Sequence, residues 1–165
     1  MAVAKKSPVA KRATGKRVAP AGSAERLWGE LHSGDLVVVD SAPLIYMLDG
    51  RPDFAAPFEG LFELHAQGLV QIAISTIAVA EVLAGPFKHG QQVLARRYER
   101  ALGAFDIVPV TQQIAVTAAN VRATFGLRLP DALQAATALE IGAVALVTHD
   151  RDFSRLEGVR VILGG

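Results

Sequence analysis

Four carboxylates stand at places where an α/β chain can bring distant acids together. Asp40 ends the run Leu36-Val37-Val38-Val39, and Glu81 lies in the apolar segment Ile77 to Ala84. Asp131 follows Pro130 at the start of a helical stretch, and Asp150 follows directly on Ala143 to Thr148. In an open parallel sheet, ligands bind beyond the carboxyl ends of the strands, where strand order reverses. Two carboxylates about 4 Å apart repel by roughly 4 kcal/mol at an effective dielectric near 20. Such a cluster must hold protons or bind cations. The chain has no cysteine, and His32, His65, His89 and His149 show neither H-x-H nor H-x-x-x-H spacing. An all-oxygen donor set favours Mg²⁺ or Mn²⁺ over zinc. Those ions suit phosphodiester hydrolysis by an ionised water, with no need for a serine or cysteine nucleophile.

Each acid also has a structural explanation. Asp131 favours the positive end of its helix, an effect of about 0.3 to 1 kcal/mol. Asp150 is a natural turn former in Thr148-His149-Asp150-Arg151. Glu81 and Asp40 are harder to explain in that way, because apolar neighbours surround both and an acid is almost never buried without a partner. The histidines read as surface or loop residues, with His149 close enough in sequence to Asp150 to support it.

The elements that must position these acids follow a regular order. A short helical segment from Ala24 to His32 precedes the first strand, Leu36 to Asp40. Helices are expected around Pro43 to Leu48 and Pro57 to Gln67, and the second places Phe58, Leu61, Phe62 and Leu64 near one face. A strand over Val70 to Ser75 leads into the helix bearing Glu81. A helix from about Gln91, a strand over Asp106 to Val110 and a helix over Gln112 to Phe125 come next. Pro130 then opens a helix that Gly142 closes. Strands over Ala143 to Thr148 and Val159 to Leu163 complete the pattern. Strands alternating with helices imply an α/β layer structure with a mostly parallel sheet.

Composition sets the limits. The 165 residues, 51% of them hydrophobic, suffice for one domain with its own core. The absence of cysteine excludes disulfides and thiolate chemistry and points to the cytoplasm. The richest apolar stretch, Ile72 to Leu83, is broken by Ser75, Thr76 and Glu81, so no membrane span is expected. Residues 1–22 carry six basic groups and no acid, which leaves eleven basic against sixteen acidic groups in the rest, a net −5. This division gives a basic tail over 1–22, expected to be disordered, and a single folded domain over 23–165. The tail's charge would attract RNA phosphates nonspecifically; a misplaced start or a transit peptide are the other readings.

At this point the residues resemble a family. Val38-Val39-Asp40-Ser41 with Leu44-Ile45-Tyr46 resembles the opening motif of PIN domains. Ser75-Thr76 with Ala80-Glu81-Val82 resembles the second motif, and Leu129-Pro130-Asp131-Ala132 with Ala135-Ala136 the third. Thr148-His149-Asp150-Arg151-Asp152-Phe153 resembles the fourth, with His149 where asparagine is common. The four motifs occur in order between Leu36 and Leu163.

The resemblance implies a three-layer fold with a five-stranded parallel sheet ordered 3-2-1-4-5, flanked by helices. It implies a Mg²⁺- or Mn²⁺-dependent endoribonuclease whose catalytic, metal-binding acids are Asp40, Glu81, Asp131 and Asp150. Ser41 and Thr148 match hydroxyl positions that orient ligands or water. Asp152 reads as a helix cap rather than a further ligand. Compact members of this kind resemble VapC-type toxins, which implies a small antitoxin partner, inhibition of translation and a homodimer. Phe54, Phe58, Leu61 and Phe62 would line a groove for the antitoxin or, more commonly, pack the core. Arg128 is the candidate RNA contact, ahead of Arg96, Arg97 and Arg100, which also suit a solvated helix face.

Other readings remain open. One is a PIN-domain RNA-processing nuclease without an antitoxin, and another a catalytically silent PIN-fold module that binds RNA or protein. Phosphoryl transfer through an aspartyl phosphate at Asp40 would want a second acid close behind it and a late lysine. The next acid is Asp49, and the one lysine after residue 16 is Lys88.

Overall fold

The computed structural model describes residues 25–164. The basic segment 1–22 and its expected disorder lie outside the described residues. The element order is α1 (Glu25–Trp28), β1 (Asp35–Val39), α2 (Ser41–Leu48), α3 (Pro52–Ala66), β2 (Val70–Ser75), α4 (Thr76–Lys88) and α5 (Gln92–Leu102). Then follow β3 (Asp106–Val108), α6 (Gln112–Phe125), α7 (Leu129–Glu140), β4 (Ala145–Thr148), a 3-10 turn (Arg151–Arg155) and β5 (Arg160–Leu163). The five strands form one sheet in the order β3-β2-β1-β4-β5, and every pairing is parallel. This is the order that the motifs implied.

Period-two alternation along β1 divides the interior into two cores. Val37 and Val39 join Ile72, Ile74, Ala145, Val147 and Ile162 on one face, covered by Leu44 of α2, Phe58 and Leu61 of α3, Val82 of α4 and Tyr98 of α5. Val38 joins Ala73 and Leu146 on the other face, beneath Ile114 and Ala118 of α6, the alanines of α7 and Phe153. Each fully buried large apolar side chain contributes about 1.5–3 kcal/mol relative to exposure. The small alanines of α7 let that helix sit close to the sheet, which fixes where Asp131 emerges.

Several boundaries differ from the sequence reading. Helix α3 starts at Pro52, not Pro57, because Pro52 occupies the first turn, where a missing N–H costs nothing. Pro57 is instead accommodated inside the helix. Helix α2 begins at Ser41, since the Asp40 side chain caps it. The stop expected after α6 is present: Gly126 takes φ +73°, a left-handed conformation that glycine adopts without penalty.

Phe58 and Leu61 are fully buried and belong to the core rather than to any groove, whereas Phe54 is 38% exposed. His65 is also not a free surface group. Its Nδ1 lies 3.0 Å from the Val70 carbonyl and its Nε2 lies 3.3 Å from that of Ala104, so it ties α3 to the start of β2 and to the loop before β3. No described helix is long and apolar enough to cross a membrane.

Candidate active site

Register places the site. Val39 of β1 pairs with Val147 of β4, so Asp40 and Thr148 leave the sheet side by side. Val38 pairs with Ala73, which sets Ser75 at the same level on β2. The order in which strands join the sheet reverses between β1 and β4, and it is here that the topology opens a crevice.

Asp40 is 6% exposed, which makes it the one buried acid among the described residues. Its Oδ1 accepts from the Ser41 amide at 2.7 Å and more distantly from the Ser41 hydroxyl at 3.5 Å. Its Oδ2 accepts from the Thr148 hydroxyl at 2.8 Å. Burial pushes the Asp40 carboxyl up to about 6, the two hydrogen bonds from Thr148 and Ser41 oppose that rise, and the charges of Glu81 and Asp131 add to it. The last two causes carry structural information: acids from α4 and α7 are close enough to Asp40 for their charges to act on it.

The other acids approach from separate elements. Asp131 lies in the first turn of α7, largely buried, with its Oδ2 accepting from Arg128 Nε at 3.1 Å. Glu81 projects from α4, and its Oε2 lies 3.5 Å from Gln134 Nε2. Asp150 follows β4. Its amide donates to Thr148 Oγ1 at 3.0 Å, and its side chain caps the 3-10 turn by accepting from the Asp152 amide at 2.9 Å. The cap is therefore Asp150 and not Asp152, because the 3-10 turn starts at Arg151 and so puts its N-cap one residue earlier.

One residue near the acids, Gln134, was missed in the sequence, and a second, Ser75, was named there in the second motif without a role. Gln134 and Ser75 are both fully buried and hydrogen-bonded to each other at 2.6 Å. Gln134 lies three residues beyond Asp131, so both share a face of α7. That spacing was the available signal. His149 has a different environment from the acids: its ring packs against Tyr46 at 5.5 Å, Phe58 at 6.2 Å and Phe54 at 6.3 Å, and its Nδ1 is buried without a partner. Arg128 is 79% exposed at the rim, and its guanidinium is held charged by the bond to Asp131, with Asp150 and Asp152 adding to the effect. Arg96, Arg97 and Arg100 lie exposed on α5.

Among the described residues, no three carboxylate or imidazole groups lie close enough together to enclose a cation as they stand. Each acid is instead held by its own donor: Thr148 and Ser41 for Asp40, Arg128 for Asp131, Gln134 for Glu81 and the Asp152 amide for Asp150. This donor set fits Mg²⁺ or Mn²⁺. Mg²⁺ commonly takes one or two carboxylates and keeps several waters, rather than using an all-protein cage. A cation would also offset the repulsion that contributes to the raised Asp40 carboxyl.

Comparison with known proteins bears on the family and the fold. The family model described as PIN domain matches residues 37–159. No curated protein sequence matches the chain. A toxin-antitoxin complex from Klebsiella pneumoniae contains a similar chain at 32% identity and TM-score 0.62, covering 78% of this chain and 98% of that one. VapBC from Salmonella typhimurium, bound to DNA, aligns at 20% identity and TM-score 0.67, covering 79% and 99% of the two chains. VapC20 from Mycobacterium tuberculosis, a sarcin-ricin loop cleaving toxin, aligns at 16% identity and TM-score 0.60, covering 75% and 98%. The last two likenesses concern the fold. With the domain model spanning most of the chain and the 3-2-1-4-5 sheet it implies, the chain belongs to the PIN-domain family.

Proposed function

We propose that the chain is a Mg²⁺- or Mn²⁺-dependent endoribonuclease, the toxin of a type II toxin-antitoxin pair, which inhibits translation by cutting RNA. The observation that carries this reading is the placement of the acids: the buried Asp40 follows β1, and Glu81 of α4 lies 3.5 Å from Gln134, which shares a face of α7 with Asp131. Acids from three separate elements converge where β1 and β4 diverge, and such a site needs a cation when ionised. Asp40, Glu81, Asp131 and Asp150 would hold the ion. When bound, it would supply an ionised water and charge neutralisation at the scissile phosphate.

The chain's own residues do the rest. Thr148 and the Ser41 amide fix both oxygens of Asp40, so the carboxylate needs no reorganisation to receive a cation. Arg128 at the rim offers a guanidinium to a phosphate that displaces it from Asp131. The partner reading follows the Klebsiella complex, which pairs a toxin with an antitoxin. A small antitoxin, a homodimer and a cytoplasmic location belong to the same proposal.

Expression of the chain alone tests it. Growth should arrest with fragmentation of cellular RNA, and Asp131→Ala should abolish both at unchanged protein abundance. The substitution costs at most about 1 kcal/mol of helix-dipole stabilisation, so loss of arrest reports chemistry. Harmless expression of a protein that still cleaves RNA in vitro would favour an RNA-processing nuclease without an antitoxin. A folded protein that cleaves no RNA in either metal would favour a silent module.

A further inference from the structure

The buried carboxamide of Gln134 has no packing reason to be polar. It is fully buried on a helix whose other inward residues include Ala132, Ala135, Ala136 and Ala138. An apolar side chain of similar length would fill the same space without having to be hydrogen-bonded.

Its two ends are not equivalent. Ser75 caps α4, where its Oγ accepts from the Ala78 amide at 3.1 Å. The hydroxyl proton of Ser75 is therefore free to be donated, and the atom facing it at 2.6 Å is Gln134 Oε1. That turns Nε2 toward Glu81 Oε2, at 3.5 Å. The flipped amide would leave the buried Ser75 proton without an acceptor and set an amide oxygen against a carboxylate. Both ends thus select the same orientation. The cap of α4 is linked through Gln134 to the acid one and a half turns further along the same helix.

We infer that Gln134 is a positioning residue for Glu81, holding that carboxylate toward the site with an amide N–H whose direction Ser75 fixes. Two residues of α7 then face the site in tandem: Asp131 as an acid of its own, and Gln134 as the donor that steadies the acid of α4. This rests on the reading of Glu81 as a metal-binding acid. Groups that orient metal ligands from behind commonly change metal affinity by about 10–100-fold when removed.

The test is Mn²⁺ binding by the full chain, followed by the electron paramagnetic resonance of free Mn²⁺, in wild type, Gln134→Met, Glu81→Gln and the double variant. Gln134→Met takes the acceptor from the buried Ser75 hydroxyl and so should lower the thermal midpoint in chelator modestly, while weakening Mn²⁺ binding about tenfold. In the Glu81→Gln background, the same substitution should have no further effect on Mn²⁺, since the acid it positions is gone. A merely structural role would weaken binding equally in both backgrounds, and that result would overturn the inference. Gln134→Asn, which keeps the amide but shortens its reach, should also weaken Mn²⁺ binding and serves if the methionine variant does not fold. If wild type binds Mn²⁺ and either folded variant binds it equally well, the positioning role is overturned while the metal site stands. If wild type binds no Mn²⁺, the metal site and this inference fall together.

Discussion

Thr148 donates to Asp40 Oδ2 at 2.8 Å, and the same hydroxyl oxygen accepts from the Asp150 amide at 3.0 Å. One buried hydroxyl therefore joins the first and fourth motifs across the opening between β1 and β4. Thr148→Val keeps the shape and removes both bonds. It should cost about 2 kcal/mol, the range for leaving buried polar groups unpaired. Because the Thr148 bond lowers the Asp40 carboxyl, the variant should also move the acid limb of metal-dependent RNA cleavage to higher pH. An unchanged pH profile would mean that Asp40 does not govern that limb.

Asp40 gives a pH dependence of known sign. Burial pushes its folded pKa to about 6, above the ordinary aspartate value of 3.8, so the folded state holds the proton more tightly. The stabilising contribution is fully present below about pH 3.8 and is lost as pH rises through about 6. At pH 8 in chelator, the buried charge costs up to about 3 kcal/mol. Asp40→Asn removes that charge but disturbs the Thr148 bond, at about 1 kcal/mol. Unfolding by urea should show the variant gaining on wild type between pH 4 and pH 7. A constant difference across that range would contradict the raised carboxyl.

Arg128 and Asp131 set a competition between a side chain and a metal ion. Arg128→Ala frees Asp131 Oδ2, so Mn²⁺ should bind more tightly. RNA affinity should fall, with the slope of log affinity against log salt reduced by about 1. Equal salt slopes would remove Arg128 from the RNA contact.

A fourth prediction concerns Gly164, whose amide donates to the Thr148 carbonyl at 3.1 Å. A methyl group there would lie 2.0 Å from the Phe58 ring. Gly164→Ala should lower stability by about 1–3 kcal/mol, as overpacking does, and Phe58→Leu should relieve part of the loss. A thermal midpoint equal to that of wild type would show that the end of β5 moves freely.

Much of this was legible in the sequence, for physical reasons that differ by residue. Val37-Val38-Val39-Asp40 reads as a buried strand ending in an acid because a short run of β-branched residues suits a strand covered on both faces. Strand order followed from the resemblance, since alternation alone fixes a parallel sheet but not which strands are neighbours. The start of α3 was misplaced because Pro52 and Pro57 both look like first-turn prolines, and only packing of Phe58 and Leu61 decides between them. Gln134 was overlooked because a glutamine between Leu133 and Ala135 reads as solvent-facing unless its spacing from Asp131 is used. Its burial comes from α4 closing over α7, a tertiary fact.

The most direct measurement is cleavage of a single-stranded RNA by the purified full chain in Mg²⁺, in Mn²⁺ and in chelator, alongside Asp40→Asn. Wild type should cut in either metal and stop in chelator, and the variant should be slower by orders of magnitude at equal or greater stability of the metal-free protein. Cleavage that persists in chelator, or a fully active Asp40→Asn, would contradict a metal-dependent site at the end of β1.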